Sequence, residues 1–305
     1  MHKILVATDK PFAKAASDQI RQVFQEAGYE CVFLEKYTTQ QEFIDAALDA
    51  EAIIIRSDKA DSDVINKAGK LKIIVRAGAG YDNVDLKAAT EKGVVVMNTP
   101  GQNSNAVAEL AFGMMVYQAR KQFNGSSGTE LKDKTIGIHA YGNVGRHVAR
   151  IAKGFDMKVL AYDPFVAADV IEKDGVKSVK TIEELYRSSQ YVSLHIPANE
   201  KTKKSIGYAL LSSMPENAML VNTARKEVIN EDDLQKVFQD RKDFTYVSDI
   251  EPDCLANLSE YKSRPYCTPK KMGAQTEEAN INAGIAAAKQ IIQFFEHNDV
   301  TFKVN

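Results

Sequence analysis

The sequence predicts an α/β chain built from two doubly wound parallel sheets. Three observations carry this. Strand-like apolar runs alternate with helical patterns along the whole chain. The runs are continuous and β-branched rather than alternating, as expected for parallel strands covered on both faces. Finally, 305 residues with 44% hydrophobic and 26% charged residues suffice for two cores.

Taken in order, the N-terminal half reads as strands at 3–7, 31–35, 52–56, 72–76 and 94–98, with helices at about 13–27, 40–49, 61–68 and 85–91. That completes a five-stranded unit. A long helical segment, 104–123, leads through the polar loop NGSSGTELKDK (124–134) into a second unit. Its strands are expected at 135–139, 158–162, 176–179, 191–195, 219–222, 246–249 and near 266–268, with helices from about Asn143, at 181–189 and at 230–239. A last helix, 277–295, follows the final strand, and the economical arrangement packs it back on the N-terminal unit.

Residues 135–163, TIGIHAYGNVGRHVARIAKGFDMKVLAYD, place a Gly-rich turn between strand and helix. In a Rossmann βαβ unit, Gly142 admits a pyrophosphate, Gly145 packs helix on strand, and the N–H groups of Asn143 and Val144 meet phosphate at the helix dipole. Asp163, 18 residues past Gly145 (163 − 145), sits where a carboxylate takes ribose hydroxyls, favouring NAD over NADP. Ala140 replaces the first glycine of the fingerprint, and is tolerable there if its φ stays negative.

A net charge of −2 argues against nucleic acid and anionic membrane surfaces. Cys31, Cys254 and Cys267 are odd in number and scattered, so neither disulfides nor a metal site is expected. No apolar run reaches membrane-spanning length. The N-terminus enters a strand directly, which leaves no room for a signal peptide, so a cytoplasmic location is expected.

Three strand ends carry candidate chemistry. Strand 72–76 ends in Arg76 before Ala-Gly-Ala-Gly, a turn that exposes N–H groups to an anion; the alternative is a tight turn beside a surface arginine. VNTARKEVIN (221–230) brings Arg225 to the end of an apolar strand, suited to a bidentate hold on a carboxylate. TYVSDIEPDC (245–254) ends in Asp249 and Glu251, which orient a base, meet the cofactor or remain solvated loop acids.

RAGAGYDNVDLKAATEKGVVVMNTPGQN (76–103), AVAEL (106–110), GNVGR (142–146), YDP (162–164), NTAR (222–225) and GAQT (273–276) together resemble the D-2-hydroxyacid dehydrogenase family over essentially the whole chain. The resemblance implies a flavodoxin-like substrate domain, 1–99 completed by 277–305, and a Rossmann NAD-binding domain, 100–276. It implies NAD contacts at Ala79, Ala140, Gly142, Asn143, Val144, Gly145, Asp163, Ile196, Pro197, Thr223, Ala224, Asp249, Gly273 and Ala274. Substrate would meet Arg56, Ser57, Lys59, Arg76, Gly78, Asn103, Arg225 and Lys271. Arg56 and Lys59 (IIIRSDK, 53–59) and Arg76 are the cations for a substrate phosphate, unless they form a solvated face.

Arg225 falls on the family arginine that polarises the C2 oxygen and clamps the carboxylate. Glu251 matches the partner of the acid–base, although only Ile250 separates it from Asp249, where the family pattern is usually longer. The family acid–base is His in a P-H-x-G-A-S-T-like segment; here Lys271 stands two residues before Gly273, with Lys270 beside it. A lysine serves as base only if burial or nearby positive charge lowers its pKa; otherwise Lys271 anchors an anion. The chain is most similar to members that oxidise D-3-phosphoglycerate to 3-phosphohydroxypyruvate in serine synthesis. A hydroxypyruvate or glyoxylate reductase and an NADH-binding corepressor are the alternatives. A homodimer is implied, and so is insensitivity to L-serine, because no residues follow 305 to form the regulatory domain of longer members.

Overall fold

The central apolar runs become strands buried on both faces, whereas those at the sheet edges are only partly covered. The computed structural model describes residues 1–261 and 263–305. The chain runs through β1 (Lys3–Thr8), α1 (Lys14–Glu26), β2 (Glu30–Glu35), α2 (Gln40–Ala47), β3 (Ala52–Ile55), α3 (Ser62–Lys67), β4 (Ile73–Arg76), α4 (Leu86–Lys92), β5 (Val95–Asn98) and α5 (Ser104–Ala119). It continues through β6 (Thr135–His139), α6 (Asn143–Gly154), β7 (Lys158–Tyr162), α7 (Ala168–Lys173), β8 (Lys177–Ser178), α8 (Ile182–Arg187) and β9 (Tyr191–Leu194). The last elements are α9 (Tyr208–Ser212), β10 (Met219–Asn222), α10 (Glu231–Asp240), β11 (Thr245–Ser248), α11 (Leu255–Leu258), β12 (Pro265–Cys267) and α12 (Glu277–His297). Two compact units result: Met1–Asn103 with Gln275–Asn305, and Ser104–Ala274.

The first unit is a parallel sheet in the order β2-β1-β3-β4-β5, the flavodoxin-like order. Period-2 geometry splits each apolar run between two cores. Leu5, Ile53, Ile55, Ile74 and Val96 pack with Phe43 and Ile65. Ile4, Val6, Ile54, Ile73 and Val75 pack with Phe24, Ala287 and Ile291, so α12 covers this face beside α1. Gly284 permits the contact, since a Cβ there would lie 2.7 Å from Ile20 Cδ1.

The second unit is a parallel sheet in the order β12-β11-β10-β9-β6-β7-β8. α5 and α6 cover one face, with Phe112, Met115, Val148 and Ala152 against Ile136 and Ile138. Leu185, Leu211, Leu234 and Phe238 cover the other.

The structure departs from the sequence reading at three kinds of place. The helix expected to reach Phe123 stops at Ala119, because Lys121, Gln122 and Phe123 turn to φ 51°, 57° and 54°. The chain then returns to satisfy the helix end: Thr129 N–H donates to the Ala119 carbonyl at 2.9 Å, and a Cβ on Gly128 would lie 2.3 Å from that oxygen. β8 shrinks to two residues at the sheet edge, pairing only with Leu160 and Ala161. α7, α9 and α11, of six, five and four residues, are too short to show a helical period in the sequence.

Candidate active site

The Gly-rich turn leaves β6 and enters α6. Gly142 is the N-cap; it has no side chain to cap the first N–H groups, and nothing lies within 4 Å of where its Cβ would be. Asn143 and Val144 therefore start a 12-residue helix with an open, uncapped positive end, a fit for a pyrophosphate. Gly145 is buried, and a Cβ there would meet the Ala140 carbonyl oxygen at 2.4 Å. Ala140 itself corrects the sequence reading: its φ is +78°, not negative. Its N–H donates to the Tyr162 carbonyl at 2.9 Å, and that bond together with the tight α6 packing holds the alanine in a glycine-like conformation.

Asp163, half-buried beyond β7, accepts from Tyr141 N–H through Oδ2 and from Phe165 N–H through Oδ1, both at 2.8 Å. The expected ribose-binding carboxylate thus also shapes the turn, and keeps a second lone pair on each oxygen. Ile196 is buried and Pro197 exposed after β9. Thr223, after β10, keeps a buried hydroxyl without a hydrogen-bond partner among the described residues, an orphan group that a bound cofactor would satisfy. Beneath the turn, burial pushes His139 down to about 4 and His195 down to about 3. His139 Nδ1 lies 3.3 Å from Tyr186 Oη and His195 Nε2 lies 2.9 Å from Ser193 Oγ.

Arg225 is half-buried two residues past Thr223, and its Nη1 donates to the Ala224 carbonyl at 2.9 Å. Asn222, fully buried at the end of β10, sets this loop. Its Oδ1 accepts from Ala224 N–H at 3.0 Å, and its Nδ2 donates to the Arg225 carbonyl at 3.0 Å and to Tyr246 Oη at 3.2 Å. Glu251 is exposed after β11 and makes no hydrogen bond or ion pair among the described residues. Burial, with Glu251 nearby, pushes the Cys267 thiol up to about 12.

Lys270 and Lys271 lie exposed on the loop between β12 and α12, with Gly273 buried and Ala274 half-buried behind them. Asp249, only 1% exposed, faces this loop. Its Oδ1 accepts from Thr268 Oγ1 at 2.9 Å and Met272 N–H at 2.7 Å, and its Oδ2 accepts from Gly273 N–H at 2.7 Å. The carboxylate expected at the cofactor is engaged by the segment that carries Lys271.

In the first unit the strand ends place Ser57, Lys59 and Ala79 at the surface, with Arg56, Arg76 and Asn103 half-buried. Arg56 is held by its own unit: Nη1 donates to the Lys10 and Pro11 carbonyls at 3.2 and 3.4 Å, Nη2 donates to Asn280 Oδ1, and the guanidinium lies 5.0 Å over the Phe12 ring. Expected as a free cation, it serves largely as a clamp. Arg76 Nε donates to the Arg56 carbonyl at 2.9 Å. Its guanidinium crosses Gly78, whose φ is +147° and where a Cβ would lie 1.6 Å from Nη1. The Ala79 carbonyl accepts from Asn98 Nδ2 at 2.6 Å. Asp58, 5% exposed and missed by sequence reasoning, pins the 56–59 loop by accepting from Asp9 N–H and Tyr37 Oη at 2.7 Å and Arg56 N–H at 3.2 Å. Burial and then Asp58 push the Tyr37 phenol upward. A polar residue inside IIIRSDK was its only sequence signal.

The model of the D-isomer specific 2-hydroxyacid dehydrogenase NAD-binding domain matches residues 90–267. A D-3-phosphoglycerate dehydrogenase of Methanocaldococcus jannaschii is 37% identical over 276 residues, covering 83% of this chain and 51% of the relative. The human D-3-phosphoglycerate dehydrogenase is 34% identical over 93% of this chain and 56% of its own length. The chain therefore spans about half the length of the curated relatives it matches. Among solved structures, an NAD+-bound 3-phosphoglycerate dehydrogenase of Entamoeba histolytica is 48% identical with a TM-score of 0.90, covering 100% of this chain and 98% of that one. The apo D-lactate dehydrogenase of Escherichia coli, 24% identical at a TM-score of 0.81 over 99% of this chain and 100% of that one, shares the fold.

Proposed function

The chain belongs to the D-isomer specific 2-hydroxyacid dehydrogenase family, and we propose that it oxidises D-3-phosphoglycerate to 3-phosphohydroxypyruvate with NAD+. The observation that carries the reading is the 48% identity to a 3-phosphoglycerate dehydrogenase along the whole chain, joined to an open, uncapped α6 terminus and the Thr223 hydroxyl.

Gly142, Asn143 and Val144 would hold the cofactor pyrophosphate, Asp163 the adenosine ribose, and Thr223 and Pro197 its remaining polar edge. When bound, the nicotinamide ring supplies the acceptor for the C2 hydride. Arg225 binds the substrate carboxylate and C2 oxygen, its loop fixed by Asn222. Lys271 Nζ takes the proton from the C2 hydroxyl as the carbonyl forms, so one hydride and one proton leave the substrate. Lys271 is exposed, so its neutral form depends on the positive charge of Arg225 and of bound NAD+, which an ionised Glu251 close by would oppose. Lys59 and Ser57, exposed after β3, and Arg76 are the groups for the phosphate, with Arg56 shaping their loop. The reading extends to a cytoplasmic homodimer. Among the described residues no helix is long and apolar enough to cross a membrane.

Steady-state turnover with a panel of 2-hydroxy and 2-keto acids tests this. NAD+-dependent oxidation of D-3-phosphoglycerate supports it. Preference for hydroxypyruvate or glyoxylate would assign a reductase instead, and NADH binding without turnover would assign a sensor.

A further inference from the structure

The segment bearing Lys271 has no regular hydrogen bonding of its own, being irregular chain from Thr268 to Gln275. Its shape is set from the neighbouring strand end. Asp249 reaches it from β11 with three hydrogen bonds of 2.7 to 2.9 Å, from the Thr268 hydroxyl and the N–H groups of Met272 and Gly273. These two N–H groups follow Lys271 directly, and Thr268 precedes it by three residues, so one carboxylate ties both sides of the lysine. The Thr268 hydroxyl also lies 2.9 Å from the Lys270 carbonyl. The approach is close enough to require glycine: a Cβ on Gly273 would lie 2.9 Å from Asp249 Oδ2 and 3.2 Å from Val107 Cγ2. Asp249 itself is 1% exposed, and its turn is fixed in turn by Ser248, whose Oγ lies 2.6 Å from the Ile250 carbonyl and 3.1 Å from Ile250 N. Buried, charge-assisted bonds of this kind are strong and geometrically exacting. Glu251, the other acid of this strand end, is exposed and contributes no bond to the loop.

From this we infer that Asp249 is a positioning residue for proton transfer: it locks the 268–273 loop and thereby sets the place of Lys271. The inference rests on the reading of Lys271 as acid–base. An asparagine at 249 keeps the volume but presents an amide donor to one of two N–H donors, so one of Met272 and Gly273 loses its acceptor and the loop shifts. A displacement of about 1 Å at a reacting group costs on the order of 10²-fold in rate.

The test is a double-mutant cycle on the full chain, reading kcat and KM with D-3-phosphoglycerate and NAD+ for wild type, Asp249→Asn, Lys271→Ala and the double variant. Asp249→Asn is expected to lower kcat by about 10- to 100-fold and to leave KM for NAD+ within about threefold. In the Lys271→Ala background the same change is expected to cost nothing further, because the lysine it positions is gone. Thr268→Val, which removes only the hydroxyl, serves as the milder variant if Asp249→Asn does not fold: its kcat loss must also vanish in the Lys271→Ala background. An unchanged kcat, or effects that multiply in the double variant, would overturn the inference while leaving the acid–base reading intact. A Lys271→Ala enzyme with undiminished kcat overturns both and places the fault in the acid–base reading.

Discussion

His139 gives a quantitative test of the site's lower layer. The ring is 6% exposed at the end of β6, against Tyr186 and Tyr162, and burial pulls it from its ordinary 6.5 to about 4. It is therefore neutral when folded at any pH above about 4, whereas the unfolded chain takes up a proton below 6.5. Protons are bound preferentially by the unfolded state in that window, so stability falls as the pH drops from 6.5 towards 4 and is flat above 7. At pH 5 the cost is 1.5 pH units on one group, or about 2 kcal/mol. His195, pulled down to about 3 by burial and then by His139, adds to this, discounted because its residue is partly exposed. The second unit should thus lose about 2 to 4 kcal/mol between pH 7 and 5, with His147, also lowered by burial, acting in the same sense. Carboxylates held below their usual range, such as Asp243 and Asp240, lose stability only at lower pH and leave this window to the histidines. The assay is urea unfolding of the whole chain at pH 7, 6 and 5. His139→Asn, which keeps a polar atom towards Tyr186 Oη, should remove about 2 kcal/mol of the pH dependence. Equal stability at pH 7 and 5, or an unchanged slope in His139→Asn, would refute the reasoning.

Lys271→Ala should lower kcat by about 10²- to 10⁴-fold with little change in NADH affinity, read by steady-state kinetics and fluorescence titration; a rise in KM alone would make the lysine an anion anchor. Arg225→Ala should raise KM by losing the carboxylate clamp of the ground state and lower kcat by losing the hold on the C2 oxygen that strengthens in the transition state, and an effect on KM alone would contradict the second role. Ala140→Gly should raise stability by up to about 1 kcal/mol, because relief of a left-handed alanine, about 1–2 kcal/mol, exceeds the extra backbone entropy of glycine, about 0.5–1 kcal/mol. In thermal melts that is an upward shift of about 2–4 °C for a unit of this size, and a loss of about 1 kcal/mol would show that Ala140 is not strained.

What was legible in the sequence follows from what is local. Continuous β-branched runs such as AIII at 52–55 found their strands within a residue, because burial on both faces leaves no other pattern. The strand–turn–helix of the fingerprint was legible from spacing, Arg225 from its place at the end of an apolar strand, and the Lys271 position only from the family resemblance. The conformation of Ala140 was not, since its positive φ is imposed by the Tyr162 carbonyl and by α6 rather than by its neighbours. Arg56 read as a ligand cation because its partner, Asn280, lies 224 residues away. For Asp249 the sequence left open a base-orienting acid, a cofactor contact and a solvated loop acid, because nothing in DIEP shows the three donors that converge on it from 268–273. The same strand end yields all three readings, and only the folded loop separates them.

The central claim is tested most directly by comparing kcat/KM for D-3-phosphoglycerate and D-glycerate with NAD+, two substrates that differ only in the phosphate. Each charge-assisted bond from Lys59, Ser57 or Arg76 is worth about 1.5–3 kcal/mol, so one predicts a preference of at least about 10-fold for the phosphorylated acid and two at least about 10²-fold. Equal turnover of the two acids, or turnover of neither, would contradict the account.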